Sequence, residues 1–188
     1  DCLLVDGVLS GQPLEVEARD LRGMRLLVPD GMLFADLSPQ VANAFNQAIE
    51  KLSAVGAIII QQPLSLLEQA PKINGQPTFA AIEAFAEHRQ RLAKGRDLFD
   101  PRVVARIEPA AGVLAADLLD MHRARAAWIQ AVETQLVDVD AILCPTVPMV
   151  APTVAELQDD ARFFEVNRLL LRNPSVFNLL DGCSFSVP

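Results

Sequence analysis

The most regular pattern of apolar and polar positions lies between residues 38 and 60. Ser38 suits the N-cap of a helix, Pro39 suits its first position, and Gly56 suits its end. Between them, apolar residues recur at helical spacing on one continuous face: Val41, Ala44, Phe45, Ala48, Ile49, Leu52 and Val55. A short apolar strand within residues 21–29 precedes this helix, and another follows at 57–60. The order predicts a right-handed βαβ unit with parallel strands.

Most of the remaining chain is predicted to be helical. Residues 1–10, followed by Gly11, suit the tail of a helix with a glycine stop. The pattern predicts helical pieces over 64–112, with a start at Asp100-Pro101, one long helix over 113–136, a helix over 161–171, and a strand over 183–187.

Arg125 falls on the apolar stripe of the long helix, between Met121 and Trp128. A guanidinium on a buried face needs a carboxylate or carbonyl partner to offset its desolvation. Three interpretations are open: a structural ion pair, a side chain that extends to the rim of the core, and a contact with substrate.

Residues 140–152 combine a buried strand with a stiff exit. Four apolar residues follow Asp140, and prolines stand at 145, 148 and 152, where neither a helix nor a central strand can continue. We expect the strand to be central in the sheet. A loop that leaves such a strand is a common place for a binding site in an α/β protein.

Composition narrows the class of protein. The chain has 188 residues, of which 51% are apolar, so a sizeable core is possible. Its formal net charge of −8 argues against nucleic-acid binding, which needs a basic face. No apolar run approaches the ~18 residues of a membrane span, and no signal peptide is visible, so we expect a cytoplasmic protein.

The residues alone predict no catalytic centre. The three cysteines, Cys2, Cys144 and Cys183, are scattered in apolar surroundings and are predicted to be small core residues. Neither His88 nor His122 has a nucleophile at a recognisable spacing, and no metal-ligand cluster is predicted. The chain contains no GxSxG elbow and no glycine-rich phosphate loop. The residues alone therefore indicate a scaffold and a possible pocket wall.

The order of short motifs resembles the amidase signature family. The matching segments run nearly the length of the chain: residues 21–29, like L-x-G-x-R-I-G-V-P; Asp100-Pro101 with Arg106-Ile107, like D-P-x-V-x-x-R-I; Asp117-Leu118-Leu119 with Arg125, like D-Y-L…R; residues 140–152, like D-A-L-L-x-P-T-x-P-x-x-A-P; and residues 172–188, like R-N-T-x-x-x-N-x-x-D/G…S-x-P. Leu118 replaces the usual tyrosine, and Pro174 stands where threonine is usual.

The resemblance implies part of an α/β/α sandwich with a mixed central sheet flanked by helices. It implies hydrolysis of a carboxylic amide through a Ser–Ser–Lys centre, without cofactor or metal. In the family the lysine and a G-G-S-S-G-G segment lie upstream of the matched region, and Lys51, Lys72 and Lys94 have no such context. We therefore assign no catalytic residue. We expect residues 1–188 to be a single partial domain, truncated at both ends and inactive alone.

The resemblance assigns a binding role to three residues, Thr146, Pro174 and Phe177, which match regions that face the acyl pocket in the family. Ordinary packing beside the sheet is the alternative interpretation for each of the three. We expect specificity to be set at the proline-stiffened exit of the 140–152 segment, which carries Thr146. The expected partner is a small-molecule amide, with a possible homodimer, no nucleic acid and no membrane. Two alternatives are open: the glutamine-hydrolysing subunit of a tRNA-dependent amidotransferase, and a catalytically empty binding domain with the same fold.

Overall fold

The computed structural model describes residues 2–12 and 20–187, with seven α-helices and three strands in that part of the chain. In chain order the elements are α1 (Cys2–Ser10), β1 (Arg25–Asp30), α2 (Pro39–Ala54), β2 (Ile58–Pro63), α3 (Ala70–Asn74), α4 (Phe79–Gly95), α5 (Pro101–Ile107), α6 (Ala115–Gln135), β3 (Ala141–Ile142) and α7 (Asp160–Leu179). None of these helices has the length and apolar character that a membrane span requires.

The three strands form a parallel sheet in the order β2–β1–β3. Leu27 of β1 pairs with Ile60 on one side and with Ile142 on the other. The parallel strands of the predicted βαβ unit are therefore confirmed, and its right-handed crossover stays a prediction. The predicted central position of the strand at 141–144 is wrong for the described sheet, because β1 is central and β3 lies at an edge. β3 is also only two residues long, and Pro145, which lacks an N–H, follows soon after it.

Local sequence signals place most helix boundaries. The Ser38 hydroxyl accepts a hydrogen bond from the Val41 N–H at 3.4 Å, as an N-cap should. Asp100 caps α5 in the same way through the Arg102 N–H at 2.7 Å. Gly56, just beyond α2, has φ +94°, a value that glycine adopts without strain. The predicted boundaries of α2 and the predicted start of α5 are confirmed.

The main core lies between β1 and the helices α6 and α7. Its buried side chains are Leu27, Leu33, Leu64, Leu67, Ala70, Trp128, Val132, Val176 and Leu179. The Trp128 indole N–H donates to the Leu66 carbonyl at 2.7 Å, so its polar atom is satisfied inside the core. A smaller cluster joins α4 and α5 through Leu92, Val104 and Ile107. The apolar face of α2 is only partly covered by the described residues, since no side chain of α2 is fully buried.

The end of the chain differs from its prediction. Instead of ending near residue 171, α7 continues through Pro174 to Leu179. Pro174 removes the N–H that would bond to the Leu170 carbonyl. The helix nevertheless continues, because Val176 and Leu179 are buried in the core on its last turns. Residues 183–187 form no strand, and Phe185 is 90% exposed, because no strand of the described sheet lies beside them.

Arg125 joins α6 to the end of α7. Its Nε donates to the Leu179 carbonyl at 2.7 Å, and its Nη2 forms an ion pair with the Asp181 carboxylate. The guanidinium thus has both a carbonyl and a carboxylate partner, which offset its desolvation. Of the three interpretations of Arg125, the structural ion pair is confirmed.

Replacing Arg125 by glutamine should lower the free energy of unfolding by about 1–3 kcal/mol, because the Leu179 carbonyl and the Asp181 carboxylate both lose a charged donor. Arg123→Gln is the matched control on the same helix, since its ion pair with Asp120 is largely exposed. It should change stability by less than about 0.5 kcal/mol. Urea unfolding measures both, and equal losses would show that the Arg125 contacts contribute no more than a surface pair.

Candidate functional site

The loops that follow β1 and β3 meet at the carboxyl end of the parallel sheet. Parallel strands bring their carboxyl ends to one edge, which is where open α/β sheets place ligands. The loop after β1 carries Leu33, and the loop after β3 carries Pro145 and Thr146. One side chain of α7, Asn173, reaches both loops.

Asn173 is only 1% exposed and is the buried polar residue among the described side chains. Its Nδ2 donates to the Leu33 carbonyl at 2.9 Å and to the Pro145 carbonyl at 2.7 Å. Its Oδ1 accepts from the Nε of Arg172 at 3.0 Å. Both amide hydrogens and the amide oxygen are therefore used, so the orientation of the side chain is fixed.

Asn173 was not predicted from the sequence. A signal was present, because Asn173 stands at helical spacing on the buried stripe of α7, between Val166 and Val176. A polar side chain on such a stripe must find partners, since an unsatisfied buried amide is costly. Its partners lie 140 and 28 residues away in sequence, at Leu33 and Pro145, and no local pattern identifies them.

The loop after β3 is fastened from three sides. The Leu143 N–H donates to the Leu27 carbonyl of β1 at 2.8 Å, Asn173 holds the Pro145 carbonyl, and the Ser38 N–H at the start of α2 donates to the Pro148 carbonyl at 2.8 Å. Pro145 and Pro148 are themselves buried. The stiffness of this segment stays a prediction, and these hydrogen bonds support it alongside the prolines.

The three predicted binding residues occupy two neighbouring elements. Thr146 is exposed between the buried prolines, and its Oγ1 lies 2.9 Å from the Oγ of Ser186. Pro174 and Phe177 are half-buried on α7, and Phe177 packs against the main core. The bond from Asn173 to Pro145 joins the residue before Pro174 to the residue before Thr146. The roles of the three in substrate binding stay predictions.

The cysteine side chains are poor candidates for catalysis. Burial raises the pKa of the Cys144 thiol to about 11, so it is protonated and weakly nucleophilic at neutral pH. Cys183 is exposed, so the prediction of a core position is wrong for it, because residues 183–187 lie outside the sheet. The side chain of Cys2 lies outside the described part.

His88 and His122 both pack against aromatic rings, His88 against Phe99 and His122 against Phe79, with ring centroids 6.1 and 5.0 Å apart. Within residues 2–12 and 20–187, no group of three or more His, Cys, Asp or Glu side chains is placed to hold a metal ion.

A separate cleft of about 490 Å³ lies between β1 and α2. Its wall includes Pro29, Asp30, Phe34, Phe45 and Gln61. Thr146, Pro174 and Phe177 do not line it, so this cleft is distinct from the loop junction that Asn173 organises.

Asn173→Ala should lower the free energy of unfolding by about 3 kcal/mol, because two carbonyls in a buried setting lose their donor. Asn178→Ala is the control, since Asn178 lies on the same helix and is exposed. That change should alter stability by less than about 0.5 kcal/mol. Thermal or urea unfolding of the two variants gives the comparison, and similar small effects would contradict the bridging role.

Comparison with known proteins places this geometry in a family. A family model described as Amidase matches residues 12–188. The chain is 27% identical over 184 residues to the 2-amino-5-chloromuconic acid deaminase of Comamonas testosteroni, a match over 98% of this chain and 40% of that protein. It is 27% identical over 165 residues to a subunit of the glutamyl-tRNA(Gln) amidotransferase of Agathobacter rectalis, over 75% of this chain and 32% of that protein.

A solved structure shows the same fold. The allophanate hydrolase of Kluyveromyces lactis matches with a TM-score of 0.74 at 22% identity, over 85% of this chain and 25% of that chain. The chain thus spans well under half the length of the curated relatives it matches. The α/β fold expected from the motifs is confirmed, and because the family model matches nearly every residue, the chain belongs to the amidase family.

Proposed function

We propose that the whole protein hydrolyses the C–N bond of a carboxylic amide without a cofactor, and that this chain supplies part of the wall of its acyl pocket. The observation that carries the proposal is the match to the amidase family over residues 12–188. The fastened loop at the carboxyl end of the sheet supports it, since a rigid wall is what a substrate-positioning site needs. The relative from Comamonas testosteroni is named for action on an acid, which supports a substrate that carries a carboxylate.

The proposed chemistry uses a serine nucleophile, a bridging serine and a lysine. A lysine kept neutral by burial and neighbouring groups can accept the nucleophile's proton through the second serine. The serine oxygen attacks the amide carbonyl, and the lysine returns the proton through the bridging serine to the nitrogen of the leaving amine as the C–N bond breaks. Water then hydrolyses the resulting acyl-enzyme to release the acid and restore the serine. We place these three residues upstream of the matched region, because Lys51, Lys72 and Lys94 are all exposed on the surface of the described chain. The wall residues position the acyl group and do not transfer protons.

One alternative within the family has a specific observation in its favour. The match to the amidotransferase of Agathobacter rectalis covers 75% of this chain. A glutamine-hydrolysing subunit passes ammonia to a partner protein, so co-purification with such a partner would favour this alternative. A catalytically empty binding domain is the other alternative. Cytoplasmic location and a homodimer stay predictions.

The first test is the reading frame that encodes this chain. It should encode, before Asp1, a lysine followed by a Gly-Gly-Ser-Ser-Gly-Gly segment. In the full protein, alanine at the nucleophilic serine should lower kcat for amide hydrolysis by about 10⁴-fold or more. Ammonia release measures the rate, and the 188-residue chain alone should release none. A full protein without the serine segment would contradict the proposed hydrolysis and favour the binding domain.

Thr146→Val in the full protein should change KM by about two- to tenfold and leave kcat within about twofold, because one neutral hydrogen bond to the acyl group is lost. Val is close to Thr in shape, so packing between the two prolines is preserved. The control is Thr134→Val, since Thr134 is exposed on α6 and bonds only to its own helix, at the Gln130 carbonyl. Steady-state kinetics on a panel of amides distinguish the two. Equal changes of KM in Thr146→Val and Thr134→Val would contradict a role of Thr146 in the pocket wall.

A further inference from the structure

Arg172 lies at the junction of the two loops. Its Nε donates to the Asn173 Oδ1 at 3.0 Å, and its Nη2 is 3.4 Å from the Leu33 carbonyl. Asn173 in turn donates to the Pro145 carbonyl, so one side chain separates the guanidinium from the loop that carries Thr146. A guanidinium has five N–H donors. These two contacts leave several of its donors without a hydrogen bond to a described residue.

Arg172 differs from the other half-buried arginines because it forms no ion pair with a described carboxylate. The other half-buried arginines all form ion pairs: Arg102 with Asp160, Arg125 with Asp181, and Arg162 with Glu165. Within residues 2–12 and 20–187, Arg172 makes no ion pair shorter than 4.0 Å, although its side chain is half-buried. Removing a guanidinium from water costs free energy, and a bound anion would offset that cost.

Two further charged groups surround Arg172. Arg168 precedes it by one helical turn and likewise forms no ion pair with a described residue. Asp36 lies in the loop between β1 and α2 and has φ +54°. Burial lowers the pKa of Arg172, the Asp36 carboxylate raises it in opposition, and Arg168 lowers it further. Two guanidinium groups and one carboxylate give a local charge of plus one, which suits a single monovalent anion.

We propose that Arg172 and Arg168 form a subsite for a carboxylate carried by the amide substrate. A planar guanidinium binds a carboxylate in a bidentate manner. The place is the carboxyl end of a parallel sheet, where α/β proteins bind ligands. The identification of the ligand as a substrate rests on the proposed amide hydrolysis.

The test uses the full protein and two amides of similar size, succinamate, which carries a carboxylate, and butyramide, which does not. Arg172→Gln should raise KM for succinamate about ten- to a hundredfold and KM for butyramide less than about twofold, because a charged hydrogen bond is lost. Arg168→Gln should raise KM for succinamate by up to about fivefold, as expected of a more exposed charge.

Asp36→Asn tests the proposal in the opposite direction. Asparagine tolerates a positive φ, so the loop should keep its conformation. The variant removes the competing negative charge and should lower KM for succinamate by about two- to fivefold, with butyramide unchanged. Arg89→Gln is the control, since Arg89 is exposed on α4, and both substrates should be unaffected.

Three outcomes would overturn the subsite. The first is wild-type protein that hydrolyses butyramide but not succinamate. The second is an equal loss for both amides in Arg172→Gln, which indicates a structural role. The third is an unchanged KM for succinamate in both Arg168→Gln and Asp36→Asn. These two variants lie outside the Asn173 bridge, so they keep the test decisive if Arg172→Gln does not fold.

Failure of the proposed hydrolysis is separable from failure of the subsite. If the wild-type protein hydrolyses neither amide, calorimetry with succinate tests binding alone. Succinate binding that weakens in Arg168→Gln and tightens in Asp36→Asn supports the subsite, whereas no binding, or binding equal in all variants, contradicts it.

Discussion

The Asn173 side chain is the constraint on which the organisation of the candidate site depends. Its amide group hydrogen-bonds to the loop after β1 and to the loop after β3, and so links both loops to helix α7. Buried backbone carbonyls in the loops beyond a sheet need hydrogen-bond donors. The Asn173 side chain supplies a donor to two such carbonyls. The loops cannot move independently while both bonds are present. The sheet edge, the proline loop and the guanidinium of Arg172 are therefore held as one unit.

The motifs that carry the resemblance to amidases mostly build the scaffold. Asp100 caps α5, and the Asp117 carboxylate accepts the Leu114 N–H at the start of α6. Asp140 accepts the Arg25 N–H at 2.7 Å where β1 and β3 begin. Arg125 binds the end of α7. Each contact joins or terminates elements, so these short motifs identify a fold without containing the reacting groups.

Elements fixed by nearby residues could be predicted from the sequence. The boundaries of α2 and the start of α5 follow from caps and prolines within a few residues.

Elements that depend on distant partners could not be predicted from the sequence. The order of the strands, the length of β3 and the lack of a described strand at 183–187 are set by pairing between remote segments. The predicted end of α7 near residue 171 is also wrong, because burial of Val176 and Leu179 outweighs the local preference against a proline at 174. The same division applies to the candidate site. The prolines around Thr146 are visible in sequence, whereas the carbonyl partners of Asn173 lie in remote segments. The lack of an ion pair between Arg172 and any described carboxylate likewise depends on how remote segments pack.

The chemistry of the described side chains fits positioning better than bond cleavage. Cys144 stays protonated at neutral pH because burial raises the pKa of its thiol, and both histidines pack against aromatic rings. Arg172 stays charged at any physiological pH and cannot act as a base. A permanent charge held rigidly beside a stiff loop can orient an anionic group at little entropic loss, since the geometry is set before binding. Orientation is therefore the contribution that these residues can make to the proposed reaction, and the proton transfers require groups of another kind.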